Sequence, residues 1–287
     1  MIAAMVLVII PKSFASLRRI EEILQAEIEI EEETIKTVAE PTFDQTNAAA
    51  FEHVTFKYTE ISDPVLEDID FTIPKGKTTA IVGGTGSGKS SLAKLLLRLS
   101  DPTIGKVTLG GIPLTQMTQE QIRSHISYVP QKAFLFSGTI LSNLQMGNEY
   151  ASTEELSKAI KIAQLEELVD TLPDGLDSFV AQGGSNYSGG QKQRICIARA
   201  LIKPAEIYVF DDSFSALDYK TDAALRAALH KHMSEKTLVI VAQRLSTIQQ
   251  ADNIIVLDEG KIVGQGTHEE LLSNCQTYQE FAKSQGI

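Results

Sequence analysis

Between an apolar run over 78–82 and a stretch of helical character over 92–99, the chain reads Gly83, Gly84, Thr85, Gly86, Ser87, Gly88, Lys89, Ser90. This octet is GxxxxGK[ST] in the context it requires, directly after a strand and opening a helix. Glycine lets the backbone fold so that successive N–H groups point at phosphate oxygens. The helix N-terminus adds its own partial positive charge. Lys89 is placed to reach β- and γ-phosphates, and Ser90, followed by Ser91, to hold Mg²⁺. A chance glycine-rich turn would not carry strand, helix and full octet together.

The rest of the chain supports an α/β reading. Segments 207–210, 238–241 and 254–257 are short, continuous apolar runs, the pattern of strands buried on both faces of a parallel sheet. Segments 51–58 and 65–73 alternate and flank a turn at Asp63 and Pro64, which predicts an antiparallel pair. Helical patterns lie between the apolar runs, including 223–229, and the middle of the chain from about 134 to 200 reads mostly helical. Thr118 with Gln121, Ser152 with Glu155 and Thr267 with Glu270 have capping-box spacing, so helices are expected to start there. The expected architecture is an α/β core of mixed sheet, an antiparallel β subdomain and an inserted α-helical lobe.

Composition narrows the partners. With 26 Lys plus Arg against 37 Asp plus Glu, the 287-residue chain carries a formal charge of −11. Such a chain is poorly suited to nucleic acid, whose affinity comes mainly from cationic side chains neutralising phosphates. A small phosphate ligand needs only local positive potential. The two cysteines, Cys196 and Cys275, are far apart and fit neither a disulfide framework nor a zinc ribbon. Cys196 reads as packing. His230 and His232 diverge on one predicted helix, and His268 falls inside a capping box, so no histidine has ligand spacing.

The first ten residues are almost wholly apolar but fall well short of the roughly 20 that span a bilayer as a helix. No positive residue precedes them and no small-x-small site follows, which argues against a signal peptide. Beyond Pro11 and Lys12 an amphipathic stripe of Phe14, Leu17, Ile20 and Leu24 continues. Residues 1–40 therefore read as the cytoplasmic end of a transmembrane helix, the remainder lying outside this sequence, followed by a glutamate-rich linker over 27–33.

A second chemical motif follows the octet. The apolar strand at 207–210 ends in Asp211 and Asp212, placing a carboxylate where it binds Mg²⁺ opposite Ser90. Between the two motifs stand Tyr187, Ser188, Gly189, Gly190 and Gln191, opening an apolar helix. This resembles the LSGGQ signature of ATP-binding cassette (ABC) proteins, with Tyr for Leu. Other pieces agree in order: Tyr58 where the family stacks an aromatic on adenine, Gln131 at the Q-loop, Ser215 to Asp218 at the D-loop, and Arg244 to Ile248 after the switch residue. The resemblance covers 41–287, with a helical subdomain at about 132–203, and the segment 134–140 is similar to exporters. It implies ATP and Mg²⁺ as ligands and a head-to-tail pair of nucleotide-binding domains, in which Ser188 to Gln191 close over the partner's γ-phosphate. It also implies a transmembrane domain of the same transporter as partner, and a location at the cell membrane on its cytoplasmic side.

Two residues depart from the family. Its catalytic Glu after the Mg²⁺-binding Asp is Asp212 here, and its switch His is Gln243. A carboxylate one methylene shorter falls roughly 1 Å short of an attacking water, a misplacement that can cost on the order of 10²-fold. Gln donates a hydrogen bond but does not titrate near neutral pH. The loop before the signature, 180–184, also lacks the acidic Glu-Arg element usual in exporters. Together these resemble the degenerate-site subunit of a heterodimeric exporter, whose signature serves a working site on the partner. Two other readings stay open: a homodimeric exporter ATPase with Asp212 as working base, and a soluble, non-transport ABC ATPase.

Overall fold

The computed structural model describes residues 2–25, 30, 40–43 and 46–287, and it divides into two units, Met1–Thr34 and Ile35–Ile287. The first unit holds one helix, α1 (Ile2–Leu24), which runs through Pro11 without interruption. Phe14, Leu17, Ile20 and Leu24 are all exposed along it. Among the described residues, no helix is long and apolar enough to cross a membrane. The glutamate-rich linker, apart from Ile30, lies outside the described residues.

In the second unit, β1 (Asn47–Phe56) and β2 (Leu66–Pro74) form the expected antiparallel pair, with Phe51 opposite Phe71 and their rings stacked 4.7 Å apart. Strand β3 (Thr78–Gly83) leads into α2 (Lys89–Leu96). Strands β4 (Ile104–Leu109) and β5 (Ile112–Pro113) complete a sheet ordered β2-β1-β4-β5. Helix α3 (Gln119–His125) and strand β6 (Ile126–Val129) follow. A small antiparallel pair, β7 (Gly138–Thr139) with β8 (Phe179–Val180), brackets α4 (Ile140–Gln145), α5 (Thr153–Ile162) and α6 (Glu166–Thr171). Then come α7 (Gly189–Ile202), β9 (Ile207–Asp211), α8 (Tyr219–His232) and β10 (Thr237–Ala242). The chain ends with β11 (Asn253–Asp258), β12 (Lys261–Gly266), α9 (His268–Asn274) and α10 (Gln276–Ser284).

The second sheet is ordered β12-β11-β3-β10-β9-β6, parallel throughout except for the β12 edge. Its strands read as unbroken apolar runs because both faces are covered. Tyr208 and Phe210 enter one core, with the helices α4–α8, while Ile207 and Val209 enter the other, against α2 and the first sheet. Leu238 and Ile240 divide from Val239 and Val241 in the same way, as a period of two demands. The predicted capping boxes at Thr118, Ser152 and Thr267 are all formed. Backbone N–H bonds from Ser152 and Thr267 hold the carboxyls of Glu155 and Glu270 below the usual range. This parallel order brings the ends of β3, β6, β9 and β10, with the residues that follow each, to one edge of the sheet.

Candidate functional site

The octet forms the turn between β3 and α2. A Cβ on Gly83 would lie 2.2 Å from the Leu257 carbonyl oxygen, so the loop leaves the sheet in contact with β11. Gly88 has φ of 98° and would place a Cβ 2.5 Å from the Leu66 side chain, so glycine is required on both conformational and steric grounds. By contrast, Cβ atoms on Gly84 and Gly86 meet nothing within 4 Å. Gly88 caps α2 without any side-chain hydrogen bond, which leaves the first N–H groups of the helix available to an anion. Lys89 is buried, and its Nζ donates to the carbonyls of Gly83 (2.9 Å) and Gly84 (2.6 Å) and to Ser87 Oγ (3.3 Å). Burial pushes its pKa below the usual lysine range, opposed by the nearby carboxylates of Asp212 and Asp211.

Asp211 closes β9 two strands away and is 4% exposed. Ser90 Oγ donates to its Oδ1 at 3.5 Å, and the Tyr128 hydroxyl donates to its Oδ2 at 3.0 Å. Burial raises the Asp211 pKa, opposed mainly by the Tyr128 hydrogen bond. Burial and this carboxylate also raise the Tyr128 phenol well above its usual range, so it stays protonated. A hydroxyl and a carboxylate side by side are hard oxygen donors of the kind Mg²⁺ takes. The donor set fits that ion.

Asp212 sits in the left-handed region, φ 45°, with its N–H bonded to Val241 O. Its Oδ2 accepts from Gln131 Nε2 at 3.1 Å and from Gln243 Nε2 at 3.3 Å. Gln131 follows β6 and Gln243 follows β10, so three residues named separately in the sequence meet on one oxygen. Tyr58 is exposed; its hydroxyl lies 3.0 Å from Ser91 Oγ and its ring beneath Lys94 Nζ at 5.6 Å. An open aromatic face beside the octet can stack a base.

Ser188 to Gln191 stand apart from this cluster. Ser188 caps α7, where its Oγ accepts from Gln191 N and its own N–H bonds Gln191 Oε1 at 2.8 Å. Ser188 and Gly189 are exposed, and a Cβ on Gly189 would meet nothing within 4 Å. Gly190 packs towards Ala216 O, in the segment 215–218. Among the described residues, no hydrogen bond or ion pair joins Ser188–Gln191 to the octet. The signature helix does reach the site indirectly: Gln193 Nε2 donates to Pro130 O at 3.4 Å, beside Gln131.

Sequence reasoning missed two residues. Tyr128 stands three positions before Gln131 in an apolar strand and reads there as core. Gln285 follows α10 at the other end of the chain. Its side chain accepts from Leu245 N (2.8 Å) and donates to Gln243 O (2.9 Å), fastening the backbone after β10. Cys196 is buried, and its thiol is pushed up by that burial, as the packing reading expects.

The chain is similar to known proteins over this whole region. The family model described as "ABC transporter" matches residues 66–215, just over half of the chain. An uncharacterised ABC transporter ATP-binding protein of Mycobacterium bovis is 44% identical over 290 aligned residues, covering 100% of this chain and 49% of that protein. A Bacillus subtilis protein named "Probable multidrug resistance ABC transporter ATP-binding/permease protein" is 41% identical, covering 95% of this chain and 46% of its own length. A bacterial Atm1-family ABC exporter solved with ATP bound superposes with a TM-score of 0.86 at 33% identity, over 100% of this chain and 50% of that one. The chain thus spans about half the length of these relatives. The family match runs from β2 through the octet and the Ser188 turn to the residues after Asp212, and the chain belongs to the ABC transporter family.

Proposed function

We propose that the chain is the nucleotide-binding part of an ABC exporter, coupling ATP binding and hydrolysis to efflux across a membrane. Lys89 and the open N-terminus of α2 bind the β- and γ-phosphates, and Tyr58 stacks the adenine. Ser90, Asp211 and Gln131 hold Mg²⁺, which when bound supplies positive charge against the phosphate oxygens. Asp212 and Gln243 orient the attacking water and the γ-phosphate. Ser188 to Gln191 present a helix N-terminus to the nucleotide of a second ABC subunit, head to tail.

A groove of about 360 Å³ supports a membrane-domain partner. It lies between β6 and α7, and exposed Leu99, Phe136 and Met146 line it. The partner half of the relatives' length would furnish the segment that covers it. On this reading the ATPase lies on the cytoplasmic side of the cell membrane, and no nucleic acid is engaged.

One observation supports the further reading that this chain's own hydrolytic site is slow. The Asp212 oxygen that would meet the water already accepts from both Gln131 and Gln243. Those bonds must rearrange, and the side chain is short. In the reconstituted pair, Asp212→Asn should leave most steady-state ATPase activity. Ser188→Ala should cost about 10²-fold, the loss typical of one transition-state donor. If Asp212→Asn abolishes turnover as completely, Asp212 is a working base and a symmetric homodimer replaces this reading.

A further inference from the structure

We propose that Tyr128 is a positioning residue for the divalent cation, holding Asp211 in the orientation that binds it. This rests on the reading of Ser90 and Asp211 as the cation's ligands. Tyr128 lies on the edge strand β6, paired with Val209, two residues before Asp211 on β9. From there its hydroxyl reaches Asp211 Oδ2 at 3.0 Å, while Ser90 Oγ approaches Oδ1 at 3.5 Å. Each carboxylate oxygen thus has one donor, from opposite sides of the site.

The two donors are not equivalent. Ser90 is itself a ligand candidate, so its hydroxyl must turn from Asp211 when the cation enters. Tyr128 then remains as the side-chain donor that fixes the carboxylate plane. Asp211 is 4% exposed, so little of its carboxylate surface is open to solvent. The shape of the core does not call for the hydroxyl: the ring alone packs against the β6 side of the core and lines the groove near Phe136. Phenylalanine would fill the same space. A hydroxyl spent on a carboxylate at the end of β9 is therefore a functional group, of the kind that orients a ligand from behind.

Tyr128→Phe tests this in the full chain. ATP is titrated calorimetrically once in EDTA and once with Mn²⁺, and Mn²⁺ retention on the protein is read by EPR. The ratio of the two affinities gives the gain due to the cation. Tyr128→Phe should cut that gain about 10-fold, the lower end of losses for outer-shell partners, and leave the affinity in EDTA unchanged. Tyr208→Phe is the control: it removes another buried hydroxyl, bonded to Lys203 O at 2.9 Å, and should leave both affinities alone. The inference is overturned if Tyr128→Phe keeps the full gain, if both affinities fall together, or if Tyr208→Phe loses the gain equally. Should wild type gain nothing from Mn²⁺, the assignment of the cation ligands itself fails.

Discussion

Two adjacent glycines of the octet should fail in different ways when replaced by alanine. At Gly83 the added Cβ would stand 2.2 Å from Leu257 O and 2.6 Å from Ser87 Oγ. Carbon needs roughly 3.5 Å from such atoms, so β3 and β11 must part by about 1 Å where Gly83 pairs with Leu257. The obstacle is backbone within a parallel ladder, and it cannot rotate away. Overpacking costs about 1–3 kcal/mol, and a weakened ladder hydrogen bond adds about 1 kcal/mol. For a domain of this size, a loss near 3 kcal/mol lowers Tm by about 6–12 °C. At Gly84 the Cβ meets nothing within 4 Å, so Tm should stay within about 2 °C. Its cost should appear in nucleotide affinity, because phosphate must approach that backbone closely. Thermal melts followed by circular dichroism, in EDTA without nucleotide, separate the two without contributions from ligand binding. If Gly83→Ala melts with wild type, or Gly84→Ala falls as far, the steric account of the loop is wrong.

Lys89→Met should weaken ATP binding about 10–100-fold by calorimetry, since a charge-assisted donor to phosphate is lost. Without ligand the same variant should not melt earlier. With its folded pKa depressed, the ammonium is disfavoured in the native state, a cost relieved only as pH rises towards 10.5. His53, bonded to Asp68 Oδ1 at 2.8 Å, should titrate above 6.5 by NMR, and Asp68→Asn should bring it part of the way back, Asp70 still raising it. Because the folded pKa is raised, this pair's contribution is fully present below pH 6.5 and lost as pH rises through the folded value.

What the sequence made legible was what repeats locally. The octet, the apolar strands and the three capping boxes each fit within a few residues, and each appears where its pattern lies. Helix α2 begins at Lys89, three residues before its apolar pattern starts, because Gly88 turns the chain directly into it. Strand β4 was not legible: Gly105, at φ 81°, packs against His53 O, and its first three residues are exposed. Strand β1 begins at Asn47, ahead of the alternating pattern, through alanines that carry no strand signature. Tyr128 and Gln285 act on partners 83 and 40 residues away. Only the pairing of β6 with β9 and the packing of α10 reveal them.

The two departures that bear on hydrolysis, Asp212 and Gln243, fall on one half of the site chemistry. Asp212 and Gln243 belong with the octet at the sheet edge, and they touch each other. Ser188 to Gln191 lie on a separate helix end, with their capping box intact and Gly189 open. Among the described residues no hydrogen bond or ion pair joins Ser188–Gln191 to the octet, and α7 reaches the site through bonds such as Gln193 Nε2 to Pro130 O. Under the head-to-tail reading, each half serves a different nucleotide. Loss of a working base at the octet then costs nothing at the site the signature serves. On the proposed function, changes at Asp212 and Gln243 would leave intact the role given there to Ser188, Gly189 and Gly190. The proposed division is consistent with α2 and α7 presenting separate helix N-termini.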